Sequence, residues 1–319
     1  MKRSKKSRNF GYRCRIEKAG ERALKNSYGG GHYGSVKTHA HRWAVFCGFC
    51  RALGILDLMR IDCQELMERY ANWVFLKVEN EDYSVPYAHN LISSANRVFS
   101  ALRDDDNVFI SPVEYLGPRS HIRSTVPASL DQEKVNKLFY DLCYEKLERP
   151  AAVFLLARAL GMRREEAVKA DLLRLKKEQE NGFVQVLDGT KGGRKADRPV
   201  PVGASQRYAI DYALSVRPVR SRNLMERDES YANFAIARSS VINKARAVMR
   251  RCSIPGYHDA RAAYACERFR EETGFEPPVL AGERPDREVE IRARERIAKE
   301  LGHGRTDVLT SYYGSWQRE

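Results

Sequence analysis

Apolar residues recur at helical spacing in three stretches of the first third of the chain. Trp43, Phe46, Cys47, Cys50 and Leu53 follow Ser35, a residue suited to an N-cap, and the run stops at Gly54. Leu66, Tyr70 and Trp73 follow Asp62 and Glu65, which are spaced as a capping box. Leu91, Ala95, Val98 and Leu102 form one face of a third helix, predicted from Pro86 to Leu102. Together they predict a small helical bundle over residues 29–105. The stretch 106–128 reads as a linker, because Pro112, Gly117, Pro118 and Pro127 break regular structure. A new helix is predicted at Glu133, Val135, Leu138 and Leu142, followed by an apolar helix from Ala151 to Leu160. The period then changes. Val184 and Val186 alternate as a strand, Gly189 to Gly193 read as a turn, and Arg198 to Val202 return as a second strand. The chain is therefore predicted to be mainly α with a small β-sheet (α+β), its second domain spanning 129–319.

Charge adds a partner to this picture. The 319 residues carry a formal charge of +14, which calls for a polyanion. Nucleic acid fits better than a membrane surface, since no lipid-facing amphipathic helix stands out. Residues 1–28 hold ten Lys or Arg against Glu17 and Glu21. They are read as a flexible arm that follows DNA phosphates, with Lys2, Arg3, Lys5, Lys6, Arg8, Arg13 and Arg15 as DNA-binding residues. Gly29, Gly30, Gly31 and Gly34 form a hinge behind it. Gly29 and Gly34 have the spacing of a phosphate loop, but Ser35 stands where that loop needs its lysine, so no nucleotide site is assigned. No apolar run approaches the roughly 18 residues of a membrane span, and no signal peptide is found. The expected location is the cytoplasm, in association with the nucleoid. The seven scattered cysteines do not suggest a disulfide framework. His39, His41, Cys47 and Cys50 lack zinc-finger spacing, and the two cysteines fall on the apolar face, so they are assigned to packing and no metal is expected.

Four clusters carry groups able to act on a phosphodiester. Gly161-Met162-Arg163-Arg164-Glu165-Glu166 ends a helix at a glycine and places Arg163 one helical step from a carboxylate, Glu166. Lys191 sits in the predicted hairpin tip region. His258 and Arg261 share one face of the helix that opens after Pro255-Gly256. Finally, Leu301-Gly302-His303 is followed, nine residues past the histidine, by Tyr312. Taken singly, each is better read as structural: a surface Arg–Glu pair, a solvated turn lysine, one of 16 tyrosines.

Their order is more specific than any one of them. Arg, Lys, His-x-x-Arg, Leu-Gly-His and Tyr, in that sequence, resemble the tyrosine recombinase (phage integrase) family. Arg163 matches the first arginine of the family's Gly-Leu-Arg-x-x-Glu box, with Met162 in place of Leu, and Glu166 matches its supporting acid. Lys191 matches the hairpin lysine, His258 and Arg261 the His-x-x-Arg box, His303 the Leu-Gly-His box and Tyr312 the nucleophile. Tyr313 adjoins it, but the spacing from His303 favours Tyr312. Two departures are present. Residues 267–297 form an insertion relative to compact members, and Ala262 and Ala263 replace larger residues.

The resemblance implies an N-terminal helical bundle plus a tyrosine-recombinase-like catalytic domain. It implies a site-specific recombinase that cuts and rejoins double-stranded DNA through a 3′-phosphotyrosyl link, needing no metal, cofactor or ATP. Expected partners are DNA carrying specific recombination sites, a homo-tetramer on synapsed DNA, and room for accessory DNA-bending proteins, with no membrane. The basic arm points to integration or excision of a mobile element. A type IB topoisomerase and a non-catalytic DNA-binding regulator are the alternatives.

Overall fold

The computed structural model describes residues 6–190, 193 and 196–316. The chain forms two compact units that part between Ser120 and His121.

The first unit contains α1 (Ile16–Tyr28), α2 (Tyr33–Ala52), α3 (Cys63–Glu79), α4 (Val85–Arg103) and the short α5 (Pro112–Leu116). Its core is aromatic. Trp43 stacks on Phe46 at 4.5 Å between ring centroids, and the edges of Phe99 and Tyr70 close on this pair. Asp62 caps α3 as its sequence suggests, accepting from the backbone N–H groups of Gln64 and Glu65 at 2.8 and 3.1 Å. Leu91, Ala95, Val98 and Leu102 of α4 are buried as its period requires, and so are Cys47 and Cys50. The predicted cap of α2 is displaced. That helix already starts at Tyr33, so Ser35 lies within its first turn.

Two boundaries differ from the sequence expectation. The flexible arm over 1–28 is a folded element from residue 6 onward. Asn9 is wholly buried: its backbone N–H donates to Asp57 Oδ1 at 2.9 Å and its Oδ1 accepts from Leu58 N at 3.0 Å. Phe10, Ile16, Ala19, Ala23 and Leu24 join the core, and Trp43 Nε1 donates to Ile16 O at 3.1 Å. The many basic residues of this stretch obscure the element because they occupy the solvent side of α1, while Ile16, Ala19, Gly20, Ala23 and Leu24 form its buried side. Lys6, Arg8, Arg13 and Arg15 are exposed; Lys2, Arg3 and Lys5 lie outside the described residues. The linker expected over 106–128 is likewise divided. Val108 and Ile110 are buried in the first unit and α5 packs there, whereas residues from His121 onward belong to the second unit.

The second unit contains α6 (Gln132–Tyr144), α7 (Glu148–Leu160), α8 (Arg164–Lys169), α9 (Leu172–Glu178), β1 (Phe183–Gln185), β2 (Pro199–Pro201), α10 (Ala204–Val216), α11 (Val241–Arg251), α12 (Tyr257–Thr273), α13 (Arg287–Glu300) and α14 (Thr310–Tyr313). Helix α7 is buried almost all round and is packed between α10 and α12. The two strands pair antiparallel, Val184 opposite Val200. The architecture is thus mainly α with a two-stranded sheet, as expected. The 267–297 stretch is the end of α12, a loop with one 3₁₀ turn at Pro278–Leu280, and most of α13. Among the described residues, no helix is long and apolar enough to cross a membrane.

Candidate active site

The site is built where the ends of α7, α12 and α13 meet. Helix α7 stops at Gly161, whose backbone is left-handed at φ +59°. A side chain there would strike the ring of Tyr264, within 2.5 Å, as well as Leu301. The free Gly161 carbonyl accepts from Arg261 Nη1. Two residues on, Arg163 precedes α8, and the carboxylate of Glu166 folds back to accept its backbone N–H at 2.7 Å. That is one half of a capping box.

Glu166 has no exposed surface and gathers arginines. Its Oε1 accepts from Arg163 Nη1 and from Arg198 Nη1, both at 2.8 Å, and Oε2 lies 3.6 Å from Arg261 Nη1. Burial opposes ionisation of Glu166, but Arg198 and Arg261 outweigh it and hold the carboxyl below its usual range. Three guanidinium groups against one carboxylate leave an excess of two positive charges. Buried charges of this kind persist only where partners satisfy them, and a surplus of one sign marks a site for an anion.

Arg261 is the most buried of these cations, at 1% exposure. It lies in the second turn of α12 and its donors fan out over the site. Nε donates to Tyr312 Oη at 3.1 Å, and Nη2 to Leu301 O at 2.5 Å, with His303 Nε2 at 3.3 Å. Burial lowers its pKa to about 10, which leaves it charged near neutral pH. The helix that carries it is anchored by Asp259, which accepts from Ser129 N and Oγ at 2.8 Å each and from Arg123 Nη2 at 2.5 Å.

His303 follows α13 and turns its Nε2 to within 3.0 Å of Tyr312 Oη. Burial, then the charges of Arg261, Arg163 and Arg198, lower its pKa to about 4, so near neutral pH the ring is uncharged. An arginine only donates, so Nε2 is assigned as an acceptor with the proton on Nδ1. Tyr312 Oη then accepts from Arg261 and donates to His303. The ring of His258 stands 5.3 Å from that of Tyr312, and the residue is exposed. Tyr313 faces elsewhere: it packs on Phe269, and its buried hydroxyl meets no hydrogen-bond partner among the described residues.

Arg163, His258 and Arg261 line a cleft of about 560 Å³ together with Arg164, Arg246 and Arg250. The structure thus brings Arg163, Glu166, His258, Arg261, His303 and Tyr312 together. Lys191 lies outside the described residues, though Gly189 and β2 place the base of its hairpin beside α8 and α13. Sequence reasoning overlooked Arg198 and read it only as the start of a strand. Its signal was present as a charged residue at a strand start that the fold buries to 2% exposure.

Arg261 and His303 thus both bond the hydroxyl of Tyr312, beside the surplus of arginine charge around Glu166. The integrase family model matches residues 122–267, from just after the boundary between the units into α12. The integrase of transposon Tn1549, solved with circular intermediate DNA, is similar over 95% of this chain and 96% of its own, at 12% identity and a TM-score of 0.59. A lambda integrase tetramer bound to a Holliday junction matches over 98% and 82% at 12% identity, with a TM-score of 0.57. The XerH site-specific recombinase bound to palindromic difH substrate matches over 87% and 75% at 15% identity, with a TM-score of 0.53. No curated protein sequence matches significantly. The integrase family model thus covers a little under half of the chain, and the solved recombinases share its fold.

Proposed function

We propose that the protein is a site-specific DNA recombinase in which Tyr312 is the nucleophile. Tyr312 Oη attacks a phosphodiester phosphorus, the bond to the 5′-oxygen breaks, and a 3′-phosphotyrosyl link forms. His303 Nε2 takes the tyrosine proton. Lys191 protonates the departing 5′-oxygen, giving a free 5′-hydroxyl that can later attack the phosphotyrosine and restore the DNA. Arg163 and Arg261 face the non-bridging oxygens and His258 donates to one of them. The excess of positive charge matches the charge that builds on phosphorus during attack, so arginines do here what metal ions do elsewhere. The link keeps the energy of the broken bond, so rejoining needs no ATP.

The observation that carries this reading is the tyrosine hydroxyl held between Arg261 Nε at 3.1 Å and His303 Nε2 at 3.0 Å. The exposed Lys6, Arg8, Arg13 and Arg15, with Lys2, Arg3 and Lys5 before them, bind DNA phosphates. The Tn1549 and lambda proteins are an integrase of a transposon and one seen as a tetramer on a Holliday junction. By that likeness this chain assembles as a tetramer on two duplexes and moves a mobile element in or out of DNA.

The test is covalent trapping. The full chain is incubated with a pool of nicked duplexes of randomised sequence, and denaturant-resistant adducts are isolated and sequenced. The wild type and Tyr313→Phe should yield adducts and Tyr312→Phe none. Adducts that survive in Tyr312→Phe and vanish in Tyr313→Phe would overturn the assignment. Joining of two selected duplexes, against mere relaxation of a supercoiled one, separates recombination from topoisomerase activity.

A further inference from the structure

Arg198 stands at the entry to β2, where the hairpin returns to the body of the unit. Its backbone N–H donates to Gln185 Oε1 across the strands at 2.8 Å. Its guanidinium reaches two ways. Nη1 donates to Glu166 Oε1 at 2.8 Å, and Nε and Nη2 both donate to Glu300 O at 3.2 Å. Glu300 is the residue before Leu301-Gly302-His303. At Gly302, φ is +65°, and a side chain would come within 2.6 Å of Arg198 Cδ. The turn that delivers His303 is therefore moulded onto this arginine.

The rest of the turn is held as firmly. Leu301 O is fixed by Arg261. The Glu300 carboxylate accepts from Tyr264 Oη at 2.8 Å and from Arg268 at 2.9 and 3.0 Å. Asp197 pairs with Lys299 at 2.8 Å, one position before each member of the Arg198–Glu300 contact. Arg198 hydrogen-bonds both this turn and Glu166, and through Glu166 it reaches Arg163; Arg261 spans the same gap less tightly, bonding Leu301 O but standing 3.6 Å from Glu166 Oε2.

We propose that Arg198 is a positioning residue for strand cleavage, setting the distance between the Arg163–Glu166 pair and the His303–Tyr312 pair. This rests on the function proposed above. Arg198 does not itself meet the phosphate, since it is buried behind Glu166. A fully buried arginine is costly to desolvate, and an apolar side chain of similar volume is often as stable or more so. Its donors are spent instead on the carboxylate that aims Arg163 and on the carbonyl at the head of the His303 turn. A lysine, as a single point charge, cannot fork between both.

The experiment uses the full chain and a nicked duplex recovered by covalent trapping with the wild type. Misplacement of reacting groups by about 1 Å costs on the order of 10²-fold in rate. Arg198→Met should slow single-turnover adduct formation by about that factor, with DNA affinity held within about twofold. Arg198→Lys should recover part of the loss. A duplex with sulfur in place of the scissile 5′-bridging oxygen distinguishes positioning from leaving-group protonation, because a thiolate departs without an acid. It should restore Lys191→Ala and leave Arg198→Met slow. The proposal is overturned if Arg198→Met cleaves at the wild-type rate, if the sulfur duplex restores it, or if cleavage and affinity fall together. Where Arg198→Met does not fold, Arg198→Lys decides: a folded variant at the wild-type rate overturns the proposal, a slow one with intact affinity supports it. Loss of cooperative melting in both assigns Arg198 to folding alone. A wild type that forms no adduct with any duplex overturns the proposed function first, and this inference with it.

Discussion

Replacing Glu166 with glutamine tests the electrostatic account of the site more directly than removing any one arginine. Glu166 is fully buried and meets only donors: Arg163 N at 2.7 Å, Arg163 Nη1 and Arg198 Nη1 at 2.8 Å, and Arg261 Nη1 at 3.6 Å. These donors are shared between both carboxylate oxygens. A glutamine amide must therefore turn an NH₂ group toward an N–H donor whichever way it is flipped, and three arginines lose their only shared counter-charge. Breaking a buried ion pair from one side costs about 3–5 kcal/mol. At roughly 2–4 °C per kcal/mol for a unit of this size, the melting temperature of the full chain should fall by about 6–20 °C near neutral pH. The pH dependence supplies a second check. The carboxyl is held below its ordinary value in the folded state, so its contribution is fully present above about pH 4.5 and is lost as pH falls through the depressed value. The gap between wild type and Glu166→Gln should therefore close at acid pH. A melting shift under about 2 °C, or a gap that stays constant into the acid range, would refute the view that Glu166 is the ionised hub of the site.

Further outcomes follow from the same geometry. His303 is lowered to about 4 in the folded chain, so between its ordinary value near 6.5 and that value the unfolded chain binds more protons. Stability should fall with pH across that window by on the order of 3 kcal/mol at most, and chemical denaturation of His303→Gln should show a shallower decline. Asp259→Ala strips Ser129 and Arg123 of their buried partner and should destabilise by about 3–5 kcal/mol, read from the denaturation midpoint; a loss under about 1 kcal/mol would argue against an anchoring role. If Arg13 and Arg15 contact phosphates, Arg13→Ala and Arg15→Ala should each reduce the slope of log affinity against log salt by about one, leaving sequence preference intact; an unchanged slope removes them from the DNA interface.

Much of the fold could be read from periodicity, because α3, α4 and α6 are amphipathic and α3 is capped by Asp62 as its sequence suggests. The exceptions have a common cause. Helix α1 reads as a solvated arm because the ten Lys and Arg of residues 1–28 outnumber the five residues, Ile16, Ala19, Gly20, Ala23 and Leu24, that it buries. Residues 106–128 read as linker, although Val108 and Ile110 reach the first core. In both places chain composition reports what faces water, and packing is decided by the few residues that do not.

The candidate site divides along a similar line. Arg163, Glu166, His258, Arg261, His303 and Tyr312 stand in short motifs whose order carries information even though each motif alone is weak. Arg198 has no such motif. It is one of 56 Lys and Arg residues in a basic chain, and only the fold reveals that it is buried against Glu166 and Glu300. Groups that face the reacting atoms need particular chemistry at particular spacing, and that leaves a local pattern. Groups that hold them need only arrive from a distant element with the right donor, as Arg198 does across 102 residues to Glu300 and Ser129 across 130 to Asp259. Contacts of that separation leave no local pattern, so the reacting groups could be named from order along the chain, whereas the groups that aim them required the packing of α7, α12 and α13.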